Sequence, residues 1–213
     1  MGTISYVIVS TPRSGTQYTA RLFTLAGMDC SHEEYFRPEN RAIHDDRKQA
    51  TFGDASWLAA PFLRELPLEV VVFHQLRDPL KTINSLLHTQ HLNLGKFGDN
   101  RYVAFIQKHT MFPNAAASEE QRAIHFWYLW HQLIETESAG RKYFRYCVED
   151  MSSELLYRCA TLVPCALTQD RLSDAISAVR KNENTRGRPP SRVTGELLPD
   201  AVRQLAVRYG YHY

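Results

Sequence analysis

The sequence predicts an α/β fold in which a central, mainly parallel sheet lies between helices, in three layers. Two observations carry this prediction. Short β-branched apolar runs alternate with segments of helical periodicity, and each run ends at a turn or helix-capping signal. At 213 residues with ordinary globular composition, the chain fits a single domain spanning residues 1–213. We find no internal repeat and no linker.

The opening unit is a strand, a tight turn and a helix. Residues Ile4–Val9 form a β-branched run that is typical of a strand buried on both faces, and Ser10–Gly15 form the turn. Apolar residues at helical spacing over Thr16–Ala26 then predict a helix, with Gly27 at its C′ position.

Two further strands and two further helices follow. The run Glu69–Leu76 predicts a second strand. A helix is expected directly after it, because Asp78 suits the N-cap and Pro79 suits the first helical position. Residues 118–138 predict a long helix, and residues 143–148 predict a third strand.

Composition and charge restrict the function. A net charge of +2 does not demand nucleic acid or an anionic membrane as partner, and no window of about 20 residues is apolar enough to span a bilayer. Residues 1–10 lack the basic start and apolar core of a signal peptide, so we expect a cytoplasmic protein. The cysteines form no CxxC pair and no metal-ligand spacing, which predicts reduced thiols. They are Cys30, Cys147, Cys159 and Cys165.

The turn after the first strand has the chemistry of an anion site. Ligands of parallel sheets bind at the carboxyl ends of the strands, where a helix N-terminus offers N–H groups to an anion. Gly15 allows close approach of the backbone, and Arg13 supplies positive charge. The hydroxyls of Ser14 and Thr16 can donate. Compared with the nucleotide-binding loop GxxxxGK[ST], Thr16 replaces the Lys and Gln17 replaces the magnesium-binding hydroxyl, so the turn suits an anion without a metal.

Two motifs together resemble the donor site of sulfotransferases. Ser10-Thr-Pro-Arg-Ser-Gly-Thr16 resembles their 5′-phosphosulfate loop, commonly P-[KR]-[ST]-G-T-T, with Gln17 at the second Thr. The family also binds the donor's 3′-phosphate through an Arg at a strand end and a Ser eight residues later, the spacing of Arg77 and Ser85. The resemblance implies a P-loop nucleotide-hydrolase-like fold. It also implies a sulfotransferase that uses 3′-phosphoadenosine 5′-phosphosulfate (PAPS) and releases adenosine 3′,5′-bisphosphate (PAP).

Weaker resemblances extend along the chain. Thr185–Pro189 resembles the loop that closes over the nucleotide in heparan sulfotransferases, which implies Arg186, Gly187 and Arg188 as donor contacts; a solvated charge run is the alternative. Residues 89–117 are rich in Asn, Gly, Lys and His and are expected to be irregular, as a lid or an acceptor-binding insertion. Residues 181–196 are expected to be a basic loop. Three aromatic segments resemble other family segments and are expected to be core: Trp127–Trp130, Arg145–Met151 and Tyr209–Tyr211.

The expected reaction is an in-line displacement. Arg13 would stabilise the departing phosphate oxygens, and a base would take the acceptor proton. Residues 31–36, Ser-His-Glu-Glu-Tyr-Phe, resemble the P-x-E-[FY]-F segment of trehalose-type bacterial sulfotransferases. That resemblance implies Glu34 as the base, with Glu33 and His32 as alternatives, and it favours a carbohydrate-like or other small-molecule acceptor. No metal is required.

Three other functions remain open on the sequence alone. A nucleotide kinase or NTPase shares the fold class, although the Lys and Ser/Thr that it needs are missing at positions 16 and 17. A non-catalytic protein that binds adenosine bisphosphate would keep the donor motifs. A nucleic-acid binder fits the basic residues near Arg186 but not the small net charge. His74 lies within an apolar strand and is expected to be a core residue. The sequence specifies neither the acceptor nor the oligomeric state.

Overall fold

The computed structural model describes residues 3–38, 51–89, 101–112, 117–165, 169–179 and 191–213. Strands and helices alternate along these residues. The strands are β1 (Thr3–Val9), β2 (Cys30–His32), β3 (Thr51–Ala55), β4 (Val71–Leu76) and β5 (Tyr143–Cys147). The helices are α1 (Thr16–Leu25), α2 (Pro79–Thr89), α3 (Arg101–His109), α4 (Glu119–Glu137), α5 (Ser153–Ala160), α6 (Gln169–Ala178) and α7 (Asp200–Arg208). Short 3₁₀ helices cover Trp57–Glu65, Val148–Asp150 and Gly195–Leu197.

The five strands form one parallel sheet in the order β2-β3-β1-β4-β5. The register pairs Ile8 with Ala55 on one side and with Phe73 on the other. Because all strands run the same way, their carboxyl ends lie along a single edge. Strands β2 and β3 lie on one side of β1, and the later strands β4 and β5 lie on the other. This edge therefore contains the topological switch point where α/β proteins bind ligands.

Helices cover both faces of the sheet, as the apolar runs predict. Val7 and Val9 of β1 belong to the core formed with α2, α3, α4 and α7. Tyr6 and Ile8, on the opposite face of the same strand, belong to a second core formed with α1, α5 and α6. A strand that alternates between two cores must be apolar throughout, which is why β1 reads as a continuous hydrophobic run. The predicted three-layer α/β fold is confirmed.

The helix boundaries follow from capping chemistry. The carboxylate of Asp78 accepts from the backbone N–H of Lys81 at 3.0 Å, which makes Asp78 the predicted N-cap of α2. Ser118 and Gln121 form a capping box at the start of α4. Gly27, with φ of 95°, follows α1 in the left-handed conformation expected of a C′ residue.

The expectation that residues 89–117 are irregular is wrong for residues 101–109. They form α3, which packs Val103 and Ile106 into the core from one face of the helix. Residues 90–100 and 113–116 of that segment lie outside the described residues. Residues 181–190 of the second segment expected to be irregular lie outside them too. All four cysteines are free, as expected. In the described parts of the chain, no helix is long and apolar enough to cross a membrane.

Candidate functional site

The turn between β1 and α1 forms a concave strip of backbone at the carboxyl edge of the sheet. Arg13 and Gly15 both have left-handed backbone, with φ of 68° and 87°. Alternation of left- and right-handed residues turns successive N–H groups toward one point, a geometry that binds anions. At Arg13 a left-handed backbone is strained, and such strain tends to be retained at functional sites. Helix α1 begins here without a side-chain cap from the described residues.

A buried glutamine fixes the position of this turn. Gln75, fully buried on β4, donates from Nε2 to the backbone carbonyl of Ser14 at 2.7 Å. Its Oε1 accepts from the hydroxyl of Thr19 at 2.6 Å and from the hydroxyl of Tyr146 at 2.8 Å. The side chain thus joins β4 and β5 to the turn and to α1. Gln75 was not predicted as a site residue; its only signal in the sequence is a polar residue, beside His74, in a mainly apolar strand.

The residues of the two donor motifs lie together. Nε of Arg13 donates to the hydroxyl of Ser85 at 3.1 Å, across 72 positions of sequence. Nη1 of Arg77 donates to the backbone carbonyl of Arg13 at 2.6 Å. Arg77 follows β4 and Ser85 lies on α2, so these contacts connect the turn after β1 with the strand end and helix of the second motif.

The two guanidinium groups form a positive site at this edge. Burial lowers the pKa of Arg13. Burial is also the largest cause of the lowered pKa of Arg77; the charge of Glu149 raises that pKa, and the charge of Arg13 lowers it further. Across the described ranges, no carboxylate forms an ion pair with Arg13 or Arg77. Half-buried arginines without an ion-pair partner are expected to bind an anion, because burial of an uncompensated charge is costly.

An acidic segment reaches the turn from the other side. Nε2 of His32, at the end of β2, lies 3.0 Å from the hydroxyl of Thr16. The carboxylate of Glu33 lies 3.8 Å from the same nitrogen. Asp54 of β3 is fully buried, accepts from the hydroxyl of Ser31, and accepts from the backbone N–H of Glu34 at 3.3 Å.

Glu33 has unusual surroundings for a carboxylate. Burial, with the nearby charge of Asp54 as the second cause, raises the pKa of Glu33 to about 6. Its backbone is left-handed, with φ of 55°. Burial also lowers the pKa of His32, and the charge of Glu34 opposes that change. Glu34 itself is exposed.

The remaining predicted residues occupy varied positions. The hydroxyl of Ser14 is buried and lies 2.9 Å from that of Thr11, so it supports the turn from within. Gln17 is exposed on the first turn of α1. His74 is a core residue, as expected: it is fully buried and its ring nitrogens contact Tyr143 and His131 at 2.6 and 2.7 Å. The predicted donor contacts of the basic loop lie outside the described residues; they are Arg186, Gly187 and Arg188.

The site therefore combines a turn of anion-binding geometry and two adjacent arginines with the Glu33 carboxylate, whose pKa is raised to about 6. Such a set can hold a phosphorylated ligand and remove a proton from a neighbouring group. Among the described residues, no three His, Cys, Asp or Glu side chains are grouped as metal ligands. Together, fold and site define an α/β protein with a positively charged turn at the carboxyl edge of its parallel sheet.

Comparison with known proteins identifies a sulfotransferase-like fold. The chain is similar to mouse sulfotransferase SULT7A1 in complex with PAP, with TM-score 0.53 and 15% identity, over 84% of this chain and 64% of that one. It is also similar to a sulfotransferase from Alicyclobacillus acidocaldarius, with TM-score 0.50 and 11% identity, over 99% of this chain and 92% of that one. The chain thus spans less than two thirds of the mouse protein. No protein-family model and no curated protein sequence matches it. At these identities the likeness shows the fold alone.

Proposed function

We propose that this protein is a sulfotransferase that transfers a sulfuryl group from PAPS to an acceptor hydroxyl and releases PAP. The observation that carries the proposal is the meeting of Arg13, Arg77 and Ser85 beside the turn, where no carboxylate of the described residues forms an ion pair with either arginine. The sulfotransferase-like fold supports it, and one structural neighbour is a complex with PAP.

Each end of the donor has a matching group. The turn residues Arg13–Thr16 would bind the 5′-phosphosulfate through backbone N–H groups and the Arg13 guanidinium. Arg77 and Ser85 would bind the 3′-phosphate, since within the described residues Arg77 donates through Nη1 alone and the Ser85 hydroxyl can also donate. Arg186, Gly187 and Arg188 are proposed as further donor contacts from the resemblance alone.

The proposed reaction is an in-line displacement. A bond forms between the acceptor oxygen and sulfur, while the bond between sulfur and the bridging phosphate oxygen breaks. The acceptor proton passes to a glutamate carboxylate, and PAP leaves with the electron pair of the broken bond. Arg13, permanently protonated, stabilises the negative charge that builds on the phosphate oxygens.

The general base is proposed to be a glutamate of the segment after β2. The resemblance indicates Glu34. The surroundings favour Glu33, because a base with a pKa near 6 is deprotonated at neutral pH and still accepts a proton effectively. Glu33→Gln and Glu34→Gln distinguish the two assignments: turnover is lost only in the variant that lacks the base, while PAP affinity is kept in both. If Glu33 is the base, turnover rises as the pH increases through about 6, and the Glu34→Gln variant shows the same rise in its pH–rate profile.

Calorimetric titration with PAP in the absence of magnesium tests the donor site. Arg77→Ala should weaken binding by about 1.5–3 kcal/mol, the contribution of a hydrogen bond to a charged group. Arg171→Ala is the matched control, because it removes the same charge from an exposed position of α6. Equal affinities in wild type and Arg77→Ala, or no binding of PAP at all, would contradict the proposal.

Two alternatives give different outcomes. A kinase or NTPase would bind and turn over ATP with magnesium, which a parallel titration and phosphate-release assay detect. A non-catalytic PAP-binding protein would bind PAP but release none from PAPS in the presence of any acceptor. The acceptor class is proposed to be a carbohydrate-like hydroxyl, from the resemblance of residues 31–36, and a screen of sugars against phenols with radiolabelled PAPS tests it.

A further inference from the structure

Two tyrosines close to the carboxyl edge contact the loops after β4 and β5. The hydroxyl of Tyr213 donates to Oδ1 of Asp78 at 2.8 Å. The hydroxyl of Tyr211 donates to Oε2 of Glu149 at 3.1 Å, and Oε1 of that carboxylate accepts from the backbone N–H of Asp78 at 3.0 Å. We call Tyr211 and Tyr213 the tyrosine clamp. The sequence predicted a core position for Tyr211 and no role for Tyr213.

The clamp hydroxyls bind two carboxylates whose charges act on Arg77. Asp78 is its sequence neighbour, and the charges of Glu149 and Asp78 both raise the pKa of Arg77 against the effect of burial. Yet neither carboxylate forms an ion pair with Arg77 in the part of the chain that the structure describes. The carboxylate oxygens accept from the clamp hydroxyls and from backbone N–H groups, and Oδ2 of Asp78 also lies 4.0 Å from the ammonium of Lys81.

The close approach of Tyr213 requires a glycine. A Cβ added to Gly195 would lie 2.7 Å from Cβ of Tyr213, which is closer than van der Waals contact allows. Cβ of Tyr213 moves only with its backbone, so a side chain at position 195 would displace the tyrosine from Asp78. The 3₁₀ helix Gly195–Leu197 therefore supports the clamp through the absence of a side chain.

We propose that Tyr211 and Tyr213 are positioning residues that hold Glu149 and Asp78 away from Arg77 and so keep its guanidinium open to the 3′-phosphate of the donor. This inference rests on the proposed function. Without the clamp hydroxyls, each carboxylate loses one hydrogen bond while keeping its backbone contact, and its charge can then shift toward the guanidinium of Arg77, because that contact compensates both charges. The guanidinium would then be neutralised from within the protein, and a phosphate would have to displace a carboxylate in order to bind.

The test compares two nucleotides that differ only in the 3′-phosphate. Calorimetric titration with PAP and with AMP, without magnesium, is performed on wild type and on the double variant Tyr211→Phe, Tyr213→Phe. We expect the double variant to bind PAP about tenfold more weakly, the effect of one or two lost hydrogen bonds, and AMP unchanged. Tyr157→Phe, the same change at an exposed tyrosine of α5, is the control and should change neither.

Two further variants separate positioning from general destabilisation. In an Arg77→Ala background, loss of the clamp hydroxyls should weaken PAP binding no further, because the group that they serve is gone. Gly195→Ala should lower the ratio of PAP to AMP affinity by displacing Tyr213. This variant tests the clamp if the double variant does not fold. An unchanged ratio in the clamp variants of a protein that binds PAP would overturn the clamp alone. A wild-type protein that binds neither nucleotide would overturn the proposed function and the clamp with it.

Discussion

The raised pKa of Glu33 predicts that its carboxylate destabilises the folded protein. A carboxyl whose pKa is higher in the folded state binds protons more tightly there, so stability falls as pH rises between the two pKa values. The difference between about 6 and the ordinary 4.5 corresponds to about 2 kcal/mol at neutral pH. Because 29% of the side chain is exposed to water, we expect the measured effect to be between about 1 and 2 kcal/mol.

Glu33→Gln removes the charge and keeps the shape, so it should stabilise the protein. Urea unfolding at about pH 7.5 should give a higher free energy of unfolding for the variant by this amount, whereas at about pH 4 the two proteins should be equal, since the wild-type carboxyl is then protonated in both states. Glu69→Gln, at an exposed position before β4, is the control and should change stability by less than about 0.5 kcal/mol.

The same variant should lose turnover if Glu33 is the base, and this combination is the informative result. A gain in stability with a loss of activity is the behaviour of a residue kept for function at a cost to folding. A Glu33→Gln protein that is no more stable than wild type at neutral pH would refute the reasoning from burial. A variant that is stabilised equally at both pH values would refute the assignment of the effect to charge.

Two further predictions concern buried polar groups. Gln75→Leu should destabilise the protein by about 3 kcal/mol and weaken PAP binding, because it leaves the Ser14 carbonyl and two hydroxyls without their partner; Gln204→Leu, exposed on α7, is the control in urea unfolding. Stability should also fall as pH decreases from about 6.5 toward 3, because burial lowers the pKa of His131 to about 3 and the unfolded chain then binds protons first. His131→Asn, which cannot titrate in this range, should reduce this acid dependence, and an unchanged pH profile of unfolding would contradict the assignment.

The sequence predicted those parts of the fold that depend on local patterns. Strands β1 and β4 lie in apolar runs and β5 in an aromatic run, and the predicted cap Asp78 is a residue type that is favoured at helix N-termini. The short strand β2 has three residues and β3 carries Gly53 and Asp54, so neither shows a period from which a strand can be inferred. The helix α3 was missed because it has only nine residues and lies within a segment that is rich in Asn, Gly, Lys and His.

Contacts between distant segments could be predicted only where a motif linked them. The spacing of Arg77 and Ser85 placed both at the loop of Arg13 because the resemblance carried that information. Gln75 has no such motif, and its role depends on Thr19 and Tyr146, which approach it only in the folded sheet. The tyrosine clamp is similar, since its contacts span 62 and 135 positions of sequence. Non-local hydrogen bonds leave no periodic signal.

The order of the strands separates the two proposed tasks of the site. Because β1 lies between β3 and β4, its turn has the acidic segment after β2 on one side and Arg77 on the other. A donor with its 3′-phosphate at Arg77 would present its sulfuryl group at the turn, so the acceptor would approach from the side of Glu33. Changes at Glu33 should therefore lower turnover while sparing nucleotide affinity, and changes at Arg77 should weaken nucleotide binding first. A variant series in which both effects always occur together would mean that the two sides act as one.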